Sequence, residues 1–142
     1  MFMDEIYKYQ KEIDEMLAAG EVTMPELFLI EHLKSYRYVY KNNPQNSNLP
    51  VYVSYPKRKL KKKTIKGYAL SCYTDAEKAE ERFYNILSSS PNFRKTGGDA
   101  LADCELDKND GMISEIGEYT HFSLFEYASC NLNSKIHIIK DL

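Results

Sequence analysis

The stretch TIKGYALSCY, residues 64–73, is the most constraining in the chain, because its apolar residues run on without a polar alternation. A short apolar run of this kind reads as a strand buried on both faces, at the centre of a sheet. The remaining segments must then supply its neighbours and its covers.

Residues 4–19 read as a helix. Ile6, Tyr9, Ile13, Met16 and Leu17 recur at steps of three and four, which places them on one stripe. Gly20 ends it, since glycine takes the left-handed cap without penalty. A second helix is expected from TMPE. Thr23 and Glu26 have capping-box spacing, Pro25 suits a first turn, and Leu27, Phe28, Ile30 and Leu33 form its face. SYRYVYK (35–41) sets Tyr36, Tyr38 and Tyr40 against Arg37 and Val39. The same residues could extend the helix, but the alternation favours a strand.

NNPQNSN (42–48) is a loop by composition. PVYVSY (50–55) reads as a strand, so that 35–55 forms a hairpin. After the basic run at 56–66 and the central strand, Thr74 and Glu77 repeat the capping-box spacing. Ala76, Ala79, Phe83, Ile86 and Leu87 continue a helix to about Leu87. SSSPN closes it. DALADCELD (99–107) is a strand with Ala100, Ala102, Cys104 and Leu106 on one face. KNDG (108–111) is a turn, and HFSLFEY (121–127) and KIHII (135–139) are the last strands.

Helices come first, strands predominate later, and no regular strand–helix alternation appears. The expected class is therefore α+β: a mostly antiparallel sheet of about five strands, two N-terminal helices and one central helix. At 142 residues the chain is expected to form one domain, with the helical pair 1–34 packed on an α+β body 35–142.

PKRKLKKKTIK (56–66) carries Lys57, Arg58, Lys59, Lys61, Lys62, Lys63 and Lys66 and no acid. Without those seven, 12 basic residues face 21 acidic ones, a balance of −9. A basic loop on an acidic body either meets an anionic partner or folds back onto the body. Arginine is scarce, so contact with nucleic acid would follow the backbone rather than read bases. Tyr52 and Tyr55 just upstream could stack on bases, and Tyr36, Tyr38 and Tyr40 join them on the expected hairpin as a docking surface. Solvated charge on a loop is the plainer alternative.

Enzymatic chemistry finds little support. Cys72, Cys104 and Cys130 are odd in number and lack disulfide or zinc spacing. His121 opens a strand with Ser123 on its own face and Glu126 on the other. The acids Asp103, Glu105, Asp107, Asp110, Glu115 and Glu118 do not fit a calcium loop, because positions one and three before Gly111 hold Leu106 and Lys108. Neither phosphate-binding glycine motif occurs. No cofactor or metal is expected.

No apolar run approaches a membrane span, the N-terminal residues are acidic where a secretory signal is basic, and the cysteine usage suits a reducing compartment. The expected setting is the cytoplasm of a bacterium or the host of a phage, with no membrane partner. The expected function is a small non-catalytic binding or regulatory protein. It would dock on an anionic macromolecule, either nucleic acid or the acidic surface of a protein that handles it, through the tyrosine hairpin and the basic arm. Two alternatives stand beside it: a small enzyme using Cys72 or His121 with nearby carboxylates, and a self-associating structural subunit.

Overall fold

The computed structural model describes residues 6–60 and 63–142. Helix α1 spans Gln10–Ala18 and ends at Gly20 in the left-handed region, φ +76°. Strands β1 (Phe28–Leu29) and β2 (His32–Val39) follow, then the one-turn helix α2 (Val51–Ser54). Strand β3 (Leu70–Tyr73) leads into helices α3 (Ala76–Ser89) and α4 (Phe93–Thr96). Strands β4 (Ala100–Asp107), β5 (Gly111–Ile113), β6 (His121–Glu126) and β7 (His137–Asp141) complete the sheet.

Among the described residues there are seven strands, in the order β1-β5-β6-β3-β2-β4-β7, and every neighbouring pair is antiparallel. The α+β class and the antiparallel sheet hold. β3 occupies the middle of the order, as the apolar run at 64–73 predicts. Its first half, Ile65–Tyr68, is a 3-10 turn rather than strand, and Ser71 alone in β3 is exposed.

Three expectations require correction. The sheet has seven strands rather than about five, because β1 and β5, two and three residues long, are too short to show a period. The second N-terminal helix does not form. Its residues give β1 and the start of β2, where Leu33 lies opposite Leu106 and Ser35 opposite Cys104. Eight register pairs to β4 outweigh a helical spacing of apolar side chains, which is only a weak local preference. The hairpin at 35–55 is also absent: residues 51–54 make a helical turn, with Val53 and Ser54 both donating backbone N–H to Pro50. That turn sends Tyr52 into the core, where its hydroxyl accepts from the N–H of Thr64 at 3.1 Å.

Two smaller shifts have local causes. Residues 6–9 are not helical, because Tyr7 bridges to Tyr127 and stacks on its ring at 5.8 Å. The expected helix before residue 6 lies outside the described residues. Helix α3 is capped by Asp75, which accepts from the N–H of Lys78 at 2.8 Å. Thr74 lies one residue before the cap, its N–H held by Thr120.

The two faces of the sheet are covered differently. One buries Leu70, Cys72, Cys104, Leu106, Phe122 and Leu124 against Cys130 and Leu132. The other is covered at one end by α3, over Tyr73 and Leu101. At its other end α1, Tyr52, Ile65 and Tyr68 cover Phe125. Between those covers the sheet is open. Among the described residues no helix is long and apolar enough to cross a membrane.

Candidate anion-binding groove

The open strip begins where β2 and β3 part. They share a single register pair, Tyr36 with Tyr73, whereas β2 pairs with β4 along its whole length. Arg37 fills the split. It is 6% exposed and its guanidinium donates to the carbonyl of Ser71 at 2.7 Å, the carbonyl of Ser47 at 2.9 Å and Oδ1 of Asn48 at 3.0 Å. All three acceptors are neutral, and Arg37 makes no ion pair among the described residues. A buried cation persists only when its donors are satisfied, and here one side chain ties the 42–49 loop to the central strand.

Above this split lies a groove of about 760 Å³. Its lining includes Ala69, Leu70 and Ser71 from the start of β3, Tyr38, Tyr73, Ile86 and Phe93, and Pro50, Val51, Tyr55 and Lys66 from around α2 and the turn before β3. Asn42, Asn43, Asn46, Lys95 and Asp99 also line it. The exposed Ser71 hydroxyl contacts Nε2 of His121 at 2.8 Å. The imidazole lies edge-on to Tyr73, ring centroids 5.2 Å apart. Burial lowers the His121 pKa, and the charges of Lys66 and Arg82 lower it further. Both effects favour the neutral ring.

The backbone entering His121 is strained. Tyr119 and Thr120 have φ of 56° and 60°, the left-handed region that a β-branched residue seldom adopts. Thr120 Oγ1 accepts from the N–H groups of Thr74 and Asp75 at 3.2 and 3.1 Å, and the Tyr119 hydroxyl accepts from Asn85 at 2.7 Å. These bonds hold the strand start, and with it His121, against the β3–α3 junction.

The tyrosines separate into groups. Tyr38 is an anchor: its hydroxyl donates to the carbonyl of Ala79 at 2.6 Å, and its ring packs on Tyr73, Phe83 and Phe93. Burial raises its pKa. Tyr40 donates to the carbonyl of Lys95 at 3.1 Å. Its pKa is pushed up to about 12, by burial first and then by the hydroxyl of Tyr55. Tyr36 packs half-buried beside Tyr73 and Leu101, and Tyr52 is core. Tyr40 and Tyr55 are thus together on the groove, while Tyr36 and Tyr52 serve the interior.

Pro56–Leu60 of the basic segment is a 3-10 turn. Lys57 is exposed, and Arg58 lies over the Tyr55 ring at 4.9 Å from its centroid. Lys59 donates to the Tyr68 hydroxyl at 2.9 Å, which raises its pKa. Lys63 pairs with Glu21. Lys66 is exposed and lines the groove. Lys61 and Lys62 lie outside the described residues. Lys59 and Lys63 face α1 across a smaller cleft of about 300 Å³ that also holds Glu12 and Glu15. Leu60, 81% exposed, stands beside them.

The cysteines and carboxylates singled out in the sequence do not line this groove. Cys72 is fully buried, and burial raises its thiol pKa, opposite to the shift a nucleophile needs. Burial likewise pushes Cys104 up to about 12 and raises the Cys130 thiol. Asp110 pairs with Lys135 at 2.6 Å, Asp103 with Lys34 at 3.7 Å, and Glu105 with His32 at 3.0 Å. No cluster of three or more metal-ligating side chains occurs among the described residues. Arg37, Ser71 and Asn48 escaped sequence reasoning. The one signal was a lone arginine within a run of tyrosine and valine.

No family model matches the chain, and no match is found among curated proteins or solved structures.

Proposed function

We propose that this chain is a small non-catalytic binding protein, acting in a reducing compartment such as the cytoplasm. It docks on an anionic macromolecule, nucleic acid or a protein that handles nucleic acid. The observation that supports this most is the charge state of the basic segment. Of its five described cations, only Lys63 has a carboxylate partner among the described residues; Lys57, Arg58 and Lys66 have none, and Lys59 is bound to a neutral hydroxyl. One flank of the segment leans on the acidic side of α1, and the other reaches the groove through Lys66 and through Arg58 stacked on Tyr55. A positive ridge continuous with an aromatic groove suits an anionic chain better than a compact ligand.

The test is retention on heparin by the natural chain and by a Lys57→Glu/Arg58→Glu variant. Both positions are exposed, so the fold should tolerate the change. The variant is expected to elute at clearly lower salt. Identical elution of the two proteins would reject the reading.

A further inference from the structure

We infer that Ser71, His121 and Lys66 form a seat for one phosphate group of a single-stranded nucleic acid laid along the groove. This rests on the reading of the chain as a binder of an anionic macromolecule, and it names the partner class and the contact.

Ser71 and Lys66 line one groove, and His121 backs Ser71. The Ser71 hydroxyl is exposed and touches Nε2 of His121 at 2.8 Å. Lys66, from the turn before β3, and Arg82, from α3, both act electrostatically on the imidazole, whose other packed neighbour is the uncharged Tyr73. Bonded to the Ser71 carbonyl, Arg37 adds a positive charge that no carboxylate among the described residues offsets. The acid lining the groove, Asp99, already accepts from the N–H of Lys41 at 2.9 Å. Positive potential thus collects where a hydroxyl donor is free to turn outward.

The same contact is poorly arranged for catalysis. A serine–histidine nucleophile requires a third group to orient the imidazole, and no carboxylate among the described residues is bonded to His121. As a binding device the pair is complete. A phosphate placed over Ser71 draws a proton from solvent onto His121. Protonated Nε2 then donates to Ser71 Oγ, and the Ser71 hydroxyl donates to a phosphate oxygen. Lys66 supplies a second charge.

The walls favour a single strand over a peptide. Tyr40, Tyr55 and Phe93, each part-exposed, line the groove, and unpaired bases stack on such rings with little sequence preference. In a duplex the bases are already stacked and cannot enter. An acidic peptide would use the cations and leave the rings idle.

The experiment measures binding of a labelled oligodeoxythymidine by fluorescence anisotropy at ~pH 5.5 and ~pH 7.5, either side of the ordinary histidine value. The natural chain should bind more tightly at the lower pH. Ser71→Ala and Lys66→Ala should each weaken binding about tenfold or more, the scale of one charge-assisted hydrogen bond. His121→Gln, which keeps a polar group beside Ser71 but cannot charge, should lose the pH dependence. Thermal unfolding checks that each variant is folded. If Ser71→Ala and Lys66→Ala bind normally while Lys57→Glu/Arg58→Glu does not, the seat is wrong and the broader reading survives. If thymidine monophosphate competes as well per phosphate as the oligomer, the occupant is a nucleotide and the strand is rejected. If polyglutamate binds and oligodeoxythymidine does not, the partner is an acidic protein. If neither binds, the seat and the broader reading fall together.

Discussion

Arg37 donates a hydrogen bond from Nη1 to the carbonyl oxygen of Ser71, 2.7 Å away, across the split between β2 and β3. A side chain there does the work of a backbone ladder. The Ser71 side chain points into the groove, on the face of the sheet that the covers over Phe125 and Tyr73 leave open.

Replacing Arg37 should therefore damage the fold before it damages binding. Arg37→Met keeps the length of the side chain and leaves the Ser71 and Ser47 carbonyls and Asn48 without their donor. The expected loss is about 2–4 kcal/mol, read as a lower urea midpoint with an unchanged slope. Arg37→Lys should recover only part of it, because an ammonium cannot span three acceptors in the guanidinium plane.

Gly67 sits against the face of Tyr52, and a Cβ added there would overlap the ring. Gly67→Ala must displace Tyr52, with its bond to the N–H of Thr64. A loss of about 1–3 kcal/mol is expected for overpacking of this kind, measured by chemical unfolding. Neutral behaviour would mean that the turn before β3 is not packed on α2 as described.

Thr120 offers the opposite outcome. It holds φ +60° for the sake of its Oγ1 acceptor. Thr120→Asn keeps a side-chain acceptor and enters the left-handed region more readily. Stability should rise by about 0.5–1 kcal/mol, seen as a higher thermal midpoint, because backbone strain of this class costs at least that much.

Much of this architecture was legible, and the failures share a cause. The run at 64–73 found the centre of the sheet, and the alternation at 99–107 found β4, because both are long enough to show a period. Residues 27–33 carry a helical spacing that a sheet partner eight residues long overrides. Residues 50–55 are too few to distinguish a turn of helix from a strand. The tyrosine hairpin failed with them, yet Tyr40, Tyr55 and Lys66 meet on the groove through tertiary packing. Ser71 and His121, 50 residues apart, meet only through the β3–β6 register, which no local pattern records.

His121 also sets a dependence of stability on pH. Its folded pKa lies below the ordinary 6.5, so the unfolded chain binds the proton more strongly. Its contribution is fully present above about pH 6.5 and is lost as the pH falls through the folded value. Stability of the natural chain should decline across that window, and His121→Gln should flatten that part of the profile. Anion binding runs the other way, since a phosphate over Ser71 favours the charged ring. The two measurements together separate a structural histidine from one that also serves the groove.

The most direct test of the central claim is the salt dependence of oligodeoxythymidine binding, plotted as the logarithm of the association constant against the logarithm of salt concentration. Lys57→Glu/Arg58→Glu should reduce the magnitude of the slope by at least about 1.4, about 0.7 for each cation removed from a single-strand phosphate. Equal slopes for the natural chain and the variant would contradict the account, because the basic segment would then release no counterions and touch no phosphate.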